Sequence, residues 1–206
     1  MKEVLSGALF QKIKNEILLN RLHPGDRISE LALCEEYHLS RPPVRQTLQQ
    51  LQALGLVEIR DGVGTFVTHI RPEQMRDAYE IRCAAEKIAI ATAMWNITPQ
   101  ELGAFEEKFR RFEAQLAKGG GYGASFEEMV QADWELHDLI LARSENRLLE
   151  EALQKVTLIL RRYQMAYVTL YERATADHLE ILRCIREKDL PGANKILEEH
   201  LQFRTL

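Results

Sequence analysis

From Tyr37 to Val57 this chain contains no aspartate and no glutamate, and inside that window lies the run Leu39-Ser40-Arg41-Pro42-Pro43-Val44-Arg45-Gln46-Thr47-Leu48. A serine ahead of such a run reads as a helix N-cap, accepting from an orphan backbone N–H. Pro42 and Pro43 fall in the opening turn, where a missing N–H is tolerated. Arg41 and Arg45 are four residues apart, so both project from one helical face. Val44, Leu48 and Leu51 form the opposite, apolar stripe. The predicted helix therefore packs on one side and offers two arginines near its N-terminus, with no acid beside them to repel a phosphate. That suits insertion into the major groove of a duplex.

The flanking segments agree with this reading. Leu5, Leu9, Ile13 and Ile17 recur at helical spacing, which predicts a first helix from about Val4 to Arg21. His23-Pro24-Gly25-Asp26 is a turn, and Arg27-Ile28 is short and extended. Ser29 caps a second helix running to Tyr37, and His38-Leu39 leads straight into the Ser40 helix, so the two make a helix-turn-helix. Leu56–Arg60, the loop Asp61-Gly62-Val63-Gly64 and Thr65–Thr68 predict a β-hairpin. Helix, helix-turn-helix and hairpin make a winged helix-turn-helix over residues 1–69. In this stretch Arg60 is a weaker candidate for DNA contact, and an ordinary solvated strand charge is its plainer reading.

Net charge matters here. The 206-residue chain has a formal charge of −4, which taken alone argues mildly against nucleic acid. Residues 1–70 are neutral, however, with Lys2, Lys12, Lys14, Arg21, Arg27, Arg41, Arg45 and Arg60 set against Glu3, Glu16, Asp26, Glu30, Glu35, Glu36, Glu58 and Asp61. A neutral domain needs its arginines on one surface, and two copies of that surface, to bind a polyanion well. Cys34, Cys83 and Cys184 have no paired spacing for a zinc ribbon, redox motif or disulfide framework. A reduced, cytoplasmic location is expected, with no signal peptide and no membrane span.

Residues 70–72 read as a linker, and beyond them strand signals stop. A helix is expected over Glu73–Trp95, with Met75, Ala78, Tyr79, Arg82, Ala85 and Ile88 facing inward. Thr98, Pro99 and Glu101 form a capping box that opens the next helix, to about Lys118. Gly119–Gly123 is a break. Ser125, with Glu128 as its capping-box partner, opens another helix to about Ala142, and Ser144 or Asn146 starts a fourth that continues to about Ala166. A fifth runs from Thr169 to Glu187, Asp189–Gly192 is a turn, and a sixth runs from Ala193 to about Phe203. The fold class is mainly α, with the winged module followed by an all-α six-helix bundle over residues 73–206.

Asp133 and His137 are four apart on one predicted helix, while His178 and His200 lie on the fifth and sixth. One carboxylate and three imidazoles are good ligands for a divalent first-row metal, and bundle cores host metals from facing helices. The plainer alternatives are a chance i,i+4 pair and a histidine complementing a helix C-terminus. Arg82 and Glu86 read either as an i,i+4 ion pair or as an arginine aimed at a cavity, where it could grip a carboxylate with two hydrogen bonds. His23, His38 and His69 have no periodic partner. Glu135 shares the helix of Asp133 and His137 but points away from their face.

The runs Pro24–Glu30 and Ser40–Arg45, followed by the hairpin with Gly62, resemble the GntR family of bacterial transcription regulators. The helical part resembles the FCD ligand-binding domain of its FadR branch, in the shorter VanR-like, six-helix version. Pro42, Gln46 and Thr47 depart from the usual Ser-Arg-Thr-Pro-Val-Arg-Glu-Ala-Leu, and His38 replaces the usual glycine. The resemblance implies that Ser40, Arg41, Pro43 and Arg45 touch operator DNA, with Gly62 near the minor groove. Which arginine reads a base and which grips a phosphate stays open. The resemblance also implies that Asp133, His137, His178 and His200 hold a divalent metal, zinc first, with manganese, nickel or iron as alternatives, and that Arg82 holds a small carboxylate effector. The implied function is a homodimeric, effector-controlled repressor and not an enzyme. The competing readings are a metal-dependent enzyme on a small organic acid, a constitutive DNA binder clamped by a structural metal, and an acyl-CoA sensor.

Overall fold

The computed structural model describes residues 2–117, 125–166 and 171–202. The chain divides into two compact units, Met1–Pro72 and Glu73–Leu206.

In the first unit, α1 (Lys2–Leu18) buries Leu9, Ile13 and Ile17. It stops short of Arg21 because Asn20 takes a left-handed conformation, φ 53°, which asparagine tolerates at a helix end. In the following turn the His23 N–H donates to Asp26 Oδ2 at 2.8 Å and Gly25 sits at φ +91°. Strand β1 (Arg27–Ile28) leads to α2 (Glu30–Tyr37), whose Ser29 cap accepts from the Ala32 N–H at 3.3 Å. His38 closes α2 in the left-handed region, at φ 51° and ψ 40°, as its place in the link requires. The Leu39 N–H then returns to the Cys34 carbonyl at 3.1 Å and the Leu39 side chain is buried, a Schellman-type stop.

Helix α3 (Arg41–Ala53) buries Val44, Thr47, Leu48 and Leu51. Ser40 occupies its N-cap position with extended backbone, but its side chain makes no capping hydrogen bond. That corrects the cap expected there, and the cause is local. A capping oxygen accepts from the second or third helical N–H. Those positions are Pro42 and Pro43, which have none. Strands β2 (Val57–Arg60) and β3 (Gly64–Val67) form the hairpin, and β1 adds to it. The sheet is antiparallel in the order β1-β3-β2, with Arg27 opposite Phe66 and Glu58 opposite Phe66 on the other side.

In the second unit the described residues form α4 (Pro72–Asn96), α5 (Pro99–Ala117), α6 (Ser125–Arg143), α7 (Arg147–Ala166), α8 (Tyr171–Glu187) and α9 (Leu190–His200). The inward face of α4 is Met75, Ala78, Tyr79, Arg82, Ala85, Glu86, Ala89 and Ile90. Ile88, expected inward, is instead 61% exposed, because the inward 3.6-residue repeat passes through Ala85, Ala89 and Ile90 and leaves it outside. The Thr98 box forms: the Thr98 N–H donates to Glu101 Oε2 at 2.9 Å, and the Glu101 N–H donates to Thr98 Oγ1 at 3.2 Å. Glu128 accepts from Arg111 at 3.0 Å, and the box expected with the Ser125 side chain lies outside what is described. Asn146 is the cap of α7, accepting from the Leu149 N–H at 3.1 Å, while Ser144 Oγ donates to the Leu141 carbonyl at 2.6 Å and closes α6.

The predicted turn Asp189–Gly192 is the first turn of α9. Asp189 caps it, accepting from the Gly192 N–H at 3.0 Å, and Pro191 fits a position that has no partner to lose. The expected glycine break at 119–123, the expected helix ends at Lys118 and Phe203, and the expected start at Thr169 lie outside the described residues. Phe109 and Phe112 of α5 are fully buried, and so is Leu136 of α6. Each such side chain contributes roughly 1.5–3 kcal/mol by leaving water.

Candidate functional site

Two groups of side chains stand out, one in each unit. In the first, Ser40, Arg41 and Arg45 are exposed at the N-terminal end of α3. The two arginines differ in surroundings. Arg45 donates from Nε to Glu30 Oε2 at 3.0 Å, and its side chain is 63% exposed. Arg41 lines a cleft with Arg27, Ser29, Glu30, Gly64 and Thr65, while Arg45 lines a second cleft with Glu30, Gln49, Arg60 and Gly62. The α3 N-terminus and the hairpin loop therefore border the same clefts. Pro43 is half-buried, and its carbonyl accepts from the hydroxyl of Thr47 at 3.0 Å. Thr47 thus satisfies its hydroxyl inside a buried face.

Gly62 lies at the exposed loop tip with φ +71°, a conformation that suits glycine, and with open space where a Cβ would be. The loop is braced by Arg27, which donates to the Val63 carbonyl at 3.1 Å and lies close against Gly64, φ +143°. Arg60 pairs with Glu58 at 3.0 Å and covers the Phe66 ring. It is occupied as a surface strand charge.

In the second unit, Asp133 and His137 of α6, His178 of α8 and His200 of α9 converge. One ligand atom from each lies within 4.8 Å of all the others. His178 Nε2 is 3.0 Å from Asp133 Oδ1, and His137 Nε2 is 3.2 Å from His200 Nε2. Asp133 Oδ1 stands 3.8 Å from His137 Nε2 and 3.9 Å from His200 Nε2. Ligands around a tetrahedral ion at ~2.0–2.1 Å are separated by about 3.3 Å. The observed distances straddle that value.

The electrostatics fit a dication as well. Burial, followed by the nearby Arg82 charge, holds His137 below its ordinary pKa, and burial also lowers His178 and His200. The neutral imidazole is the ligating form. Burial alone would raise the Asp133 pKa. The facing His178 and His137, with Arg82, pull it well below the usual carboxylate range, so it is an anion. Neither ring nitrogen of buried His178 makes a well-formed hydrogen bond among the described residues, although Nε2 stands 3.0 Å from Asp133 Oδ1 and the two interact electrostatically. A buried imidazole without well-formed hydrogen bonds costs stability unless something else occupies it. Phe109 stacks on this ring with centroids 4.6 Å apart and fixes its plane. These four residues could hold a metal.

The surrounding shell is polar around Asp133, His137 and His200. Asp133 Oδ2 accepts from Gln164 Nε2 at 2.9 Å, and Gln164 Oε1 accepts from Trp134 Nε1 at 2.8 Å. His200 Nδ1 is 3.4 Å from Asp177 Oδ2. His137 Nδ1 is 2.5 Å from Glu86 Oε2, and Arg82 Nε donates to Glu86 Oε1 at 2.6 Å. Arg82 and Glu86 are both buried. Burial opposes ionisation of Glu86, yet His137 and Arg82 hold its carboxyl down at about 2. Glu135 faces away from this group, toward Lys108 at 2.7 Å.

Comparison with known proteins decides what kind of chain this is. Residues 5–67 match the bacterial regulatory proteins of the gntR family, and residues 77–203 match the FCD domain. The Nta operon transcriptional regulator of Aminobacter aminovorans is 30% identical over 182 residues, 87% of this chain and 82% of that protein. The chain belongs to the GntR family, in its FCD-containing form.

Other comparisons agree. The regulator McbR of Escherichia coli K12 is 24% identical over 198 residues, 92% of this chain and 86% of that one. The E. coli McbR/YncC structure superposes with a TM-score of 0.77 at 21% identity, over 96% of this chain and 93% of that chain. A GntR-type structure from Rhodococcus sp. RHA1 gives 0.79 at 17% identity, over 95% and 93%. At these identities the two structures speak to the fold alone. This GntR/FCD regulator is thus a DNA-binding transcription regulator and not an enzyme. No helix among its described residues is long and apolar enough to cross a membrane.

Several site neighbours were absent from the sequence reading of this regulator. Gln164, Trp134 and Asp177 were not singled out, and Glu86 was seen only as the i,i+4 partner of Arg82. Asp177 directly precedes His178, which is a usable signal. Gln164 reaches Asp133 from another helix, and no local spacing announces that.

Proposed function

We propose that this regulator is a homodimeric repressor whose operator affinity is set by a small carboxylate bound beside a divalent metal. Residues 1–69 read DNA, residues 70–72 link, and residues 73–206 sense. The observation that carries the sensing part is the convergence of Asp133, His137, His178 and His200, joined through Glu86 to the buried cation Arg82. One carboxylate and three imidazoles suit zinc first, with manganese, nickel or iron also compatible. When bound, such an ion supplies a Lewis-acidic position for an acid, and Arg82 supplies a second positive charge nearby.

For DNA, Ser40, Arg41, Pro43, Arg45 and Gly62 form the contacting set. The Ser40 hydroxyl, released from capping by Pro42 and Pro43, is available to a phosphate oxygen. Arg45 is the arginine already oriented, by Glu30, and a fixed fork is what bidentate contact with guanine O6 and N7 demands. Arg41, in the adjoining cleft, is assigned to phosphate. The homodimer is supported by the exposed stripe Ile81, Ile88 and Trp95 on α4, 51%, 61% and 68% exposed at intervals of seven residues. A seam of that period suits a second copy of the same helix, and two-fold symmetry matches paired half-sites.

A gel-shift titration tests the whole reading. Full-length protein, loaded with zinc or stripped by chelator, is mixed with the intergenic DNA upstream of its own gene and titrated with di- and tricarboxylic acids. The expected result is a change of 5–150-fold in operator affinity, roughly the range of a ~1–3 kcal/mol coupling, that requires both metal and acid. Binding indifferent to every acid, and unchanged in Arg82→Ala, would leave a constitutive binder with a structural metal.

A further inference from the structure

The three imidazoles at the candidate metal centre are not held alike. His178 Nδ1 has no partner among the described residues, so nothing there selects its tautomer. His200 Nδ1 faces Asp177 at 3.4 Å, a long contact, and Asp177 is near the edge of burial at 9% exposure. His137 Nδ1 lies 2.5 Å from Glu86 Oε2, and Glu86 is wholly buried. An ionised carboxylate only accepts hydrogen bonds, so the proton of this pair must sit on Nδ1. That leaves Nε2 of His137 as the unprotonated nitrogen, 3.2 Å from His200 Nε2, on the side where Asp133, His178 and His200 converge.

We infer that Glu86 of α4 is the positioning residue of the metal centre: it locks His137 in the Nδ1–H tautomer, the form in which Nε2 can ligate, and Arg82 in turn locks Glu86. The inference rests on the metal reading given above and deepens it. Its chemistry is that of an outer-shell carboxylate, which fixes a ligating imidazole and raises its basicity. Glu86 could not do this alone. Its carboxylate must be held in one orientation for Oε2 to keep facing Nδ1, and that needs a second contact on the other oxygen. Arg82 Nε, 2.6 Å from the other oxygen, supplies that contact. The Arg-x-x-x-Glu spacing on α4 thus has a consequence on a different helix.

The test measures zinc affinity of the full chain by competition with a chelator, alongside metal-free thermal melting. Glu86→Gln is expected to weaken zinc by ~10–100-fold, as outer-shell changes do. Because that variant leaves Arg82 buried beside a neutral amide, a second variant, Arg82→Met with Glu86→Leu, removes both charges together. It should melt cooperatively and still bind zinc at least ~10-fold more weakly than wild type, since His137 has lost its acceptor. Either variant that melts cooperatively and binds zinc with wild-type affinity overturns the inference. A third measurement needs no variant. Long-range proton–nitrogen NMR of the metal-free wild type should find His137 as the Nδ1–H tautomer, and an Nε2–H tautomer would overturn the assignment. Failure of the wild type to bind zinc or any other first-row dication would sink the metal reading instead, while the tautomer would still judge the role of Glu86.

Discussion

Two arginine–glutamate pairs, one from each candidate site, do opposite things. Arg45 and Glu30 meet at 3.0 Å with side chains 63% and 32% exposed. Arg82 and Glu86 meet at 2.6 Å with side chains 6% and 0% exposed. In the first pair, water screens the charges, and what the contact achieves is orientation: Arg45 is steered, not anchored. In the second, desolvation makes each charge depend on the other, and the pair becomes a commitment of the whole bundle. The same residue types at hydrogen-bonding distance thus serve a readable surface in one unit and a fixed centre in the other. Burial, not the pair itself, decides which.

The largest effect should come from breaking the buried pair. Arg82→Ala or Glu86→Ala leaves one unpaired buried charge and should cost roughly 3–5 kcal/mol of stability in denaturant titration. Glu30→Ala, the matching change on the surface, should cost less than about 1 kcal/mol. Equal losses at the two places would end the contrast drawn above. Next in size is the metal. If zinc binds the native centre, a hundredfold excess over its dissociation constant should add ~2.7 kcal/mol of apparent stability, which a chelator removes. Asp133→Asn should abolish that increment and also lower the metal-free melt, because the amide keeps the Gln164 contact but loses the charge facing His178, His137 and Arg82. An unchanged zinc increment in that variant would count against Asp133 as a ligand.

These two experiments also mark where sequence reasoning succeeded and where it stopped. Only Asp133 and His137 share a helical face, so the four-residue set came from the family resemblance, whereas the Thr98 box was legible because its partners lie three residues apart. Signals of that kind act within one turn. The second bond of Glu86, to His137, and the bond of Gln164 to Asp133 join helices separated by dozens of residues, and they depend on how one helix is rotated against another. Ile88 was misplaced for a related reason: a long helix with alanines on several faces admits two apolar stripes, and only packing chooses the buried one. Ser40 is a different case. Its failure to cap was within reach of the sequence, since Pro42 and Pro43 remove the N–H groups a cap requires.

The surface pair can be sharpened at the level of DNA. Arg45→Ala should lower discrimination against a mismatched operator base pair by about 1–3 kcal/mol. Arg41→Ala should weaken all duplexes alike and make the slope of log affinity against log salt shallower by about 0.9 for each phosphate the protein no longer neutralises. Fluorescence anisotropy at several salt concentrations separates the two, and a reversed outcome would exchange their roles.

The smallest expected effect tests the link that sets α3 in place. His38 holds a left-handed backbone, φ 51° and ψ 40°, where a side chain with a Cβ is strained by roughly 1–2 kcal/mol. Glycine relieves that strain but gives back roughly 0.5–1 kcal/mol in the entropy of the unfolded chain. His38→Gly should therefore stabilise the protein by a net ~0.5–1 kcal/mol in denaturant titration. DNA affinity should stay unchanged, because the Leu39 N–H to Cys34 carbonyl bond that fixes the turn uses only backbone atoms. A stable His38→Gly protein that bound DNA more weakly would mean that the imidazole itself reaches the duplex. The recognition surface would then extend back from α3 into the turn that precedes it.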